Sequence, residues 1–330
     1  MSTASALFGT IQPELEQVEQ VLAEVADVEH PLLRSILGEV LRTGGKRLRP
    51  ALTLLVGKLN RYDVDHLVKL AVATELLHTA TLLHDDVVDQ SPMRRGRPTI
   101  YLQAGNRAAV LVGDYMYAKS AYFATATESL RVMQLFADTV MVMCQGQIDE
   151  GTRKNGGYAD YAPDAYFDTI RSKTAALFVL ACDAAAELSG APPTQAAALH
   201  RYGLRMGLAF QVVDDILDIT GDERLLGKPV GGDLRQRVVT LPVIRAREVV
   251  PAALLRAVYD HPDDGSDDGV REDAVQALIA AIQGSPAVER CYADASALLD
   301  EARRDLAQLP PGPARDALNE LADYVLARRV

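Results

Sequence analysis

The sequence predicts an all-α fold, and three observations carry that expectation. Long runs rich in Ala and Leu recur along the chain, and these residues are strong helix formers with apolar faces to bury. Period-two alternation bounded by turn residues is essentially absent, which removes the usual signature of strands. Several runs stop at Gly, as helix C-termini often do. In order, the runs are "LVKLAVATELLHTATLLHDDVVD" (67–89), "AAVLVGDYMYAKSAYFATA" (108–126), "SLRVMQLFADTVMVMCQGQIDEG" (129–151), "APDAYFDTIRSKTAALFVLACDAAAELSG" (162–190) and "QAAALHRYGLRMGLAFQVVDDILDITG" (195–221). Each is too long for a strand and reads as a helix. The one clearly hydrophilic stretch, 258–272, reads as an acidic surface loop between helices and not as a domain boundary. With 330 residues, 48% of them hydrophobic, one large core is affordable, and a single domain over 1–330 is expected.

Charge narrows the function classes. A net charge of −11 argues against non-specific nucleic-acid binding, which needs an extended basic surface. Positive charge nevertheless clusters in "GGKRLRP" (44–50) and "MRRGRP" (93–98), the places where an anionic ligand would find local help. No run is long and uncharged enough to span a bilayer, and the first residues carry neither a basic nor an apolar leader segment, so no membrane anchor and a cytoplasmic location are expected. Cys144, Cys182 and Cys291 are far apart and lack metal-ligand spacing; they are expected to be small core residues in a reducing compartment.

The stretch "LLHDDVVDQS" (82–91) breaks the apolar pattern. On a helix Asp85 and Asp89 project from one face a turn apart, with Asp86 about 100° round. Two like charges so placed repel, and their burial is costly, so a positive partner is required: an arginine or a hard divalent cation. A second copy favours the cation. "FQVVDDILDIT" (210–220) repeats D-D-x-x-D at Asp214, Asp215 and Asp218, again flanked by apolar residues. Two such walls on facing helices would hold Mg²⁺, which combines one or two carboxylates with waters and phosphate oxygens. His78, seven residues before Asp85, falls on nearly the same helix face.

In these motifs, taken with "LVGDY", "SKTAALF", "GKPVGGDL" and "TLP" in order over residues 30 to 245, the chain resembles the trans-isoprenyl diphosphate synthases, the polyprenyl synthetase family, and most closely its long-chain members. The resemblance implies an orthogonal helical bundle around a central apolar cavity. It implies that Asp85 and Asp89 bridge two Mg²⁺ ions and that Asp214, supported by Asp215 and Asp218, holds a third, with Mn²⁺ as a substitute. Arg94, Lys173 and Lys228 would complete the shell around an allylic diphosphate, with Thr174 and Gln211 as polar neighbours. Lys46, Arg49 and Arg95 would grip isopentenyl diphosphate, with His78 beside them and Arg47 less securely placed. Asp86 completes the first motif. Ionisation of the allylic diphosphate, attack by the isopentenyl double bond and loss of a proton would follow, the aspartates, Lys173 and Lys228 serving the departing diphosphate. Family members often carry Gly-Lys before "TLP"; here Arg237 and Val238 stand there, which puts affinity for short allylic substrates in doubt.

The growing tail would run below Asp85 past Thr81, Ala80, Leu77 and Thr74. Bulky aromatics close that path in short-chain members, and none stands there, so a product of about six to ten isoprene units made from a farnesyl or geranylgeranyl primer is expected. A twenty-carbon product is the alternative, with Leu77, Met116 or Met141 as a floor. Outside this activity, a class I terpene cyclase is disfavoured by "GGKRLRP" and the second D-D-x-x-D, and a non-catalytic synthase subunit by the presence of both aspartate motifs. The family also implies a homodimer, for which the apolar 108–126 run is suited.

Overall fold

The computed structural model describes residues 9–42, 45, 47–94, 96–153, 161–222, 229–260 and 268–328. After a short 3₁₀ turn, the helices are α1 (Gln12–Val25), α2 (Pro31–Arg42), α3 (Leu48–Gly57) and α4 (Val64–Val88). A two-residue antiparallel ribbon, β1 (Met93–Arg94) with β2 (Arg97–Pro98), turns the chain into α5 (Ile100–Ala104), α6 (Asn106–Thr125) and α7 (Leu130–Arg153). Then come α8 (Pro163–Ile170), a π-helical turn at Arg171–Ala175, α9 (Ala176–Leu188) and α10 (Pro193–Thr220). The remainder is α11 (Gly232–Arg235), α12 (Leu241–Ala246), α13 (Ala252–Tyr259), α14 (Asp268–Gln283), α15 (Ala287–Leu306) and α16 (Pro313–Ala327).

The all-α expectation holds. α9 is the centre of the bundle: it packs on α3, α4, α7 and α10, and its small buried residues Ala181, Cys182, Ala184 and Ala185 let four neighbours approach. α4 lies along α6, and α10 along α15. The main apolar cluster runs through these helices, and a second one, including Ile219, Val243, Leu255, Val275 and Ile282, fills the space between α12, α13 and α14.

Three expectations are revised. The 162–190 run is not one regular helix: the π turn at Arg171–Ala175 interrupts it, and such turns favour functional positions. Of the hydrophilic 258–272 stretch, residues 261–267 lie outside the described residues, and Asp268 already opens α14. Its Glu272 pairs with Arg235 at 2.7 Å instead of facing only water. Cys182 and Cys291 are buried as expected, but Cys144 is exposed, because it falls on the outward face of α7 beside Met141 and Ile148. Among the described residues no helix is long and apolar enough to cross a membrane.

Candidate active site

Two close helix contacts build the site. Gly146 of α7 and Gly207 of α10 both press on the π turn: a Cβ at Gly146 would stand 2.7 Å from Ser172 Cβ, and one at Gly207 only 2.5 Å from Ala175 Cα. One turn further along each helix, the residue that follows reaches the turn's polar side chains. Glu150 accepts from Lys173 Nζ at 2.7 Å, and Gln211 Oε1 accepts from the Thr174 hydroxyl at 2.7 Å.

Both aspartate motifs sit at helix C-termini. Asp89 is the C-cap of α4, and Asp214, Asp215 and Asp218 occupy the last two turns of α10. The negative end of a helix dipole disfavours carboxylates and attracts cations, so each motif is a cation-seeking position before any ligand arrives. Asp85, Asp89, Asp214, Asp215 and Asp218 line one cleft of ≈720 Å³, together with Arg94, Lys173 and Gln211. The structure thus brings eight of the residues singled out in the sequence to one cleft.

Within that cleft the carboxylates differ. Burial, aided by the neighbouring Asp89, pushes Asp85 up to about 6 despite the pull of Lys173 and Arg94. Asp86 is also raised, chiefly by burial, and is turned away to accept from Arg94 at 2.7 Å. Asp215 is fully enclosed: Tyr166 donates to one oxygen at 2.6 Å and Gln211 to the other at 2.7 Å, and burial lifts its carboxyl to about 7. Asp218 accepts the backbone N–H of Asp233 at 3.0 Å, while Asp214 pairs with Arg328 at 2.7 Å. Burial acts to lower the Lys173 ammonium, but Glu150 and Asp85 outweigh it, and the net shift is upward.

The segment around α11 joins the two walls. Asp233 N–H holds Asp218, and Gln236 Nε2 reaches Ser91 Oγ at 3.3 Å beside the first motif. Arg237, at the position where a lysine contact was in doubt, takes a left-handed backbone with φ 57° and lines the adjoining cavity with Lys173, Thr174, Gln211 and Tyr166. Val238 lines it as well.

The basic residues fall into distinct places. His78 and Arg94 line a second cavity together with Arg47 and Asp86. Arg47 is paired within the protein, donating to Glu75 of the same cavity at 2.7 Å and to Glu19. Arg49 is buried, its guanidinium 4.8 Å from the centre of the Phe178 ring. Lys46, Arg95 and Lys228 lie outside the described residues. On α4, Thr74, Leu77 and Ala80 are buried and Thr81 is half-buried, its hydroxyl donating to the His78 carbonyl. Met116 is buried on the inner face of α6, whereas Met141 is 56% exposed and cannot floor a cavity within this chain. Tyr166, Glu150, Gln236 and Arg328 were not singled out in the sequence. Tyr166 acts on Asp215, 49 residues away, so no local spacing in the sequence marks it.

Among the described residues no three ligating side chains converge on one point. The carboxylates of the two walls suit Mg²⁺, which takes one or two carboxylates and fills its shell with water and phosphate oxygens. A helical cleft with two carboxylate walls and a lysine–arginine rim has the chemistry that suits diphosphates held with the help of divalent cations.

The comparisons with known proteins make that class specific. The polyprenyl synthetase family model matches residues 30–278, and the chain belongs to that family of magnesium-dependent prenyltransferases. It is 38% identical over 322 residues to heptaprenyl diphosphate synthase component 2 of Geobacillus stearothermophilus, covering 97% of each chain. Among solved structures it resembles a decaprenyl diphosphate synthase from Rhodobacter capsulatus, with 38% identity, TM-score 0.86 and 99% of each chain covered. It also resembles a polyprenyl synthase from Caulobacter crescentus CB15 complexed with calcium and isoprenyl diphosphate, with 32% identity, TM-score 0.89, and 99% of this chain and 98% of that one covered.

Proposed function

We propose that this chain adds isopentenyl diphosphate units to an allylic diphosphate, farnesyl or geranylgeranyl in length, and makes an all-trans polyprenyl diphosphate of about six to ten isoprene units. The observation that carries this is the facing of Asp85 and Asp89 by Asp214 across a cleft rimmed by Arg94 and Lys173. Asp85 and Asp89 would hold two Mg²⁺ ions and Asp214 a third, and the metal would neutralise charge developing on the departing diphosphate.

The chain's own residues do the rest. Lys173, oriented by Glu150, and Arg94 bind the allylic diphosphate, with Lys228 as a third cation. Thr174 and Gln211 present fixed dipoles at the edge of the site. Isopentenyl diphosphate is held by Lys46, Arg49 and Arg95, with His78 lining the second cavity. Its double bond attacks the allylic carbon as the C–O bond to diphosphate breaks, and the proton then lost passes to the departing diphosphate. Arg237, which lines the cavity with Lys173, serves where the family's lysine is missing.

Relatives named for heptaprenyl and decaprenyl products support the long chain, as does the small Ala80 below Asp85. The active unit is a single-domain cytoplasmic protein that pairs with a second copy. Leu111 and Tyr122 on α6 and Leu130, Met141 and Ile148 on α7 are more than half exposed, an apolar face that a partner would cover. The test incubates purified protein with Mg²⁺, labelled isopentenyl diphosphate and farnesyl diphosphate, and sizes the dephosphorylated products. A ladder ending near six to ten units is expected; a stop at four units moves the product to the geranylgeranyl class, with Leu77 or Met116 as floor. No elongation from any allylic primer defeats the synthase activity.

A further inference from the structure

α16 ends at Ala327, and Arg328 turns from it into the cleft, where it lines the same walls as the two aspartate motifs. Its Nη2 lies 2.7 Å from Asp214 Oδ1, and only 11% of the side chain is exposed. The guanidinium stacks on Phe210, 4.3 Å from the ring centre and one helical turn before Asp214. A cation thus already stands on the one carboxylate of the second motif that is not buried, since Asp215 and Asp218 are each only 4% exposed.

Two further observations mark this pose as incomplete. Arg328 Nε and Nη1 are buried without a hydrogen-bond partner, and buried donors left unmade are costly. Asp215 and Asp218, by contrast, are tied by Tyr166, Gln211 and the Asp233 backbone. The second wall thus has Asp215 and Asp218 tied by hydrogen bonds from the fold, while Asp214 carries an ion pair with a side chain from the end of α16.

We propose that Arg328 is a positioning residue of this site, the protein's own cation on Asp214, displaced when divalent metal and diphosphate arrive. The inference rests on the proposal that Asp214 holds metal. A guanidinium and a divalent ion on one carboxylate repel each other, so the two states exclude one another. The ion pair keeps Asp214 aimed into the cleft and compensates its charge, and metal binding at this wall carries the cost of breaking it. Once displaced, the planar N–H fork matches the geometry of phosphate oxygens, so the charge that leaves Asp214 has an anion to meet.

The test uses the full chain and Mn²⁺ as probe, read by the paramagnetic resonance signal of the free aqua ion, so that no turnover is needed. In an Asp85→Asn, Asp89→Asn background, which silences the first wall, Arg328→Met should bind Mn²⁺ about tenfold more tightly than the background chain, with Arg328→Lys closer to the parent. Adding Asp214→Asn should abolish that binding in each. Arg328→Met keeps an apolar stem against Phe210, and thermal melts confirm that it folds. Unchanged, weaker or absent binding in Arg328→Met, with Asp214→Asn still abolishing what the parent binds, overturns the proposal alone. Binding that survives Asp214→Asn, or that no variant shows, overturns the metal-holding role of Asp214 and the proposal with it.

Discussion

The two aspartate motifs share a spacing and a position at the end of a long helix, yet the protein treats them differently. At the first wall Asp86 is taken by Arg94, and Asp85 and Asp89 face the cleft beside Lys173. At the second wall the donors come from several elements: Arg328 on Asp214, Tyr166 and Gln211 on Asp215, and the Asp233 backbone on Asp218. The difference teaches that D-D-x-x-D spacing decides only which way carboxylates point. What each one does is decided by the donors that neighbouring helices bring to it.

The sharpest way to break this comparison is to remove one carboxylate at a time. Asp85→Asn and Asp214→Asn should each lower kcat for chain elongation by roughly a thousandfold, the scale of a lost transition-state charge contact. Asp215→Asn, whose oxygens serve Tyr166 and Gln211, should cost only about tenfold. Equal losses at Asp214 and Asp215 in steady-state assays would erase the distinction between an exposed ligand and an enclosed support.

Tyr166→Phe tests the support from its other end. It strips a donor from a buried carboxylate, and the expected loss is about 1–3 kcal/mol of unfolding free energy in urea titrations. An unchanged midpoint would mean that Asp215 does not depend on Tyr166.

Acidity sharpens the same contrast. Burial raises Asp215 from 3.8 to about 7 in the folded chain. Folded protein therefore holds a proton that unfolded protein has lost, and without metal stability must fall as pH rises through that window. Asp215→Asn removes the titrating group, so its melting temperature relative to the wild type should climb from about pH 4 to about pH 7. A pH-independent difference would show that Asp215 ionises as readily folded as unfolded.

The smallest effect lies outside both walls. Hydrogen bonding from Arg235 lowers Glu272 from 4.5 to about 2. A lowered carboxyl stabilises above its unfolded value and loses that contribution as pH falls toward about 2, so Glu272→Gln should be slightly less stable than the wild type at pH 7 and indistinguishable from it at about pH 2. Because the group is partly exposed, the difference at pH 7 should be a few tenths of a kcal/mol.

Much of this was legible in the chain itself. Helical periodicity marked α4, α6, α7 and α10 to within a few residues, and the two carboxylate motifs announced one cleft because apolar flanks make such charges too costly to be incidental. Tyr166, Glu150 and Arg328 were not legible. Their partners are 49, 23 and 114 residues away, and a lone Tyr, Glu or Arg carries no signal until the fold supplies the neighbour. The π turn was hidden for a related reason, since "RSKTA" is compatible with a regular helix and its distortion accompanies the packing of α7 and α10 on it. Cys144 shows the reverse error: its residue type suggested the core, but its helix face decided otherwise.

Gly146 and Gly207 give the site an adjustment that acts at a distance. Each sits where two backbones nearly touch, a turn away from the side chain it serves, so a single added methyl would act as a shim between helices. Gly207→Ala would lift α10 from the π turn and carry Gln211, Asp214 and Asp215 with it, retuning the gap between the walls while leaving every polar group intact. The width of the reaction chamber is thus written in residues that never face it.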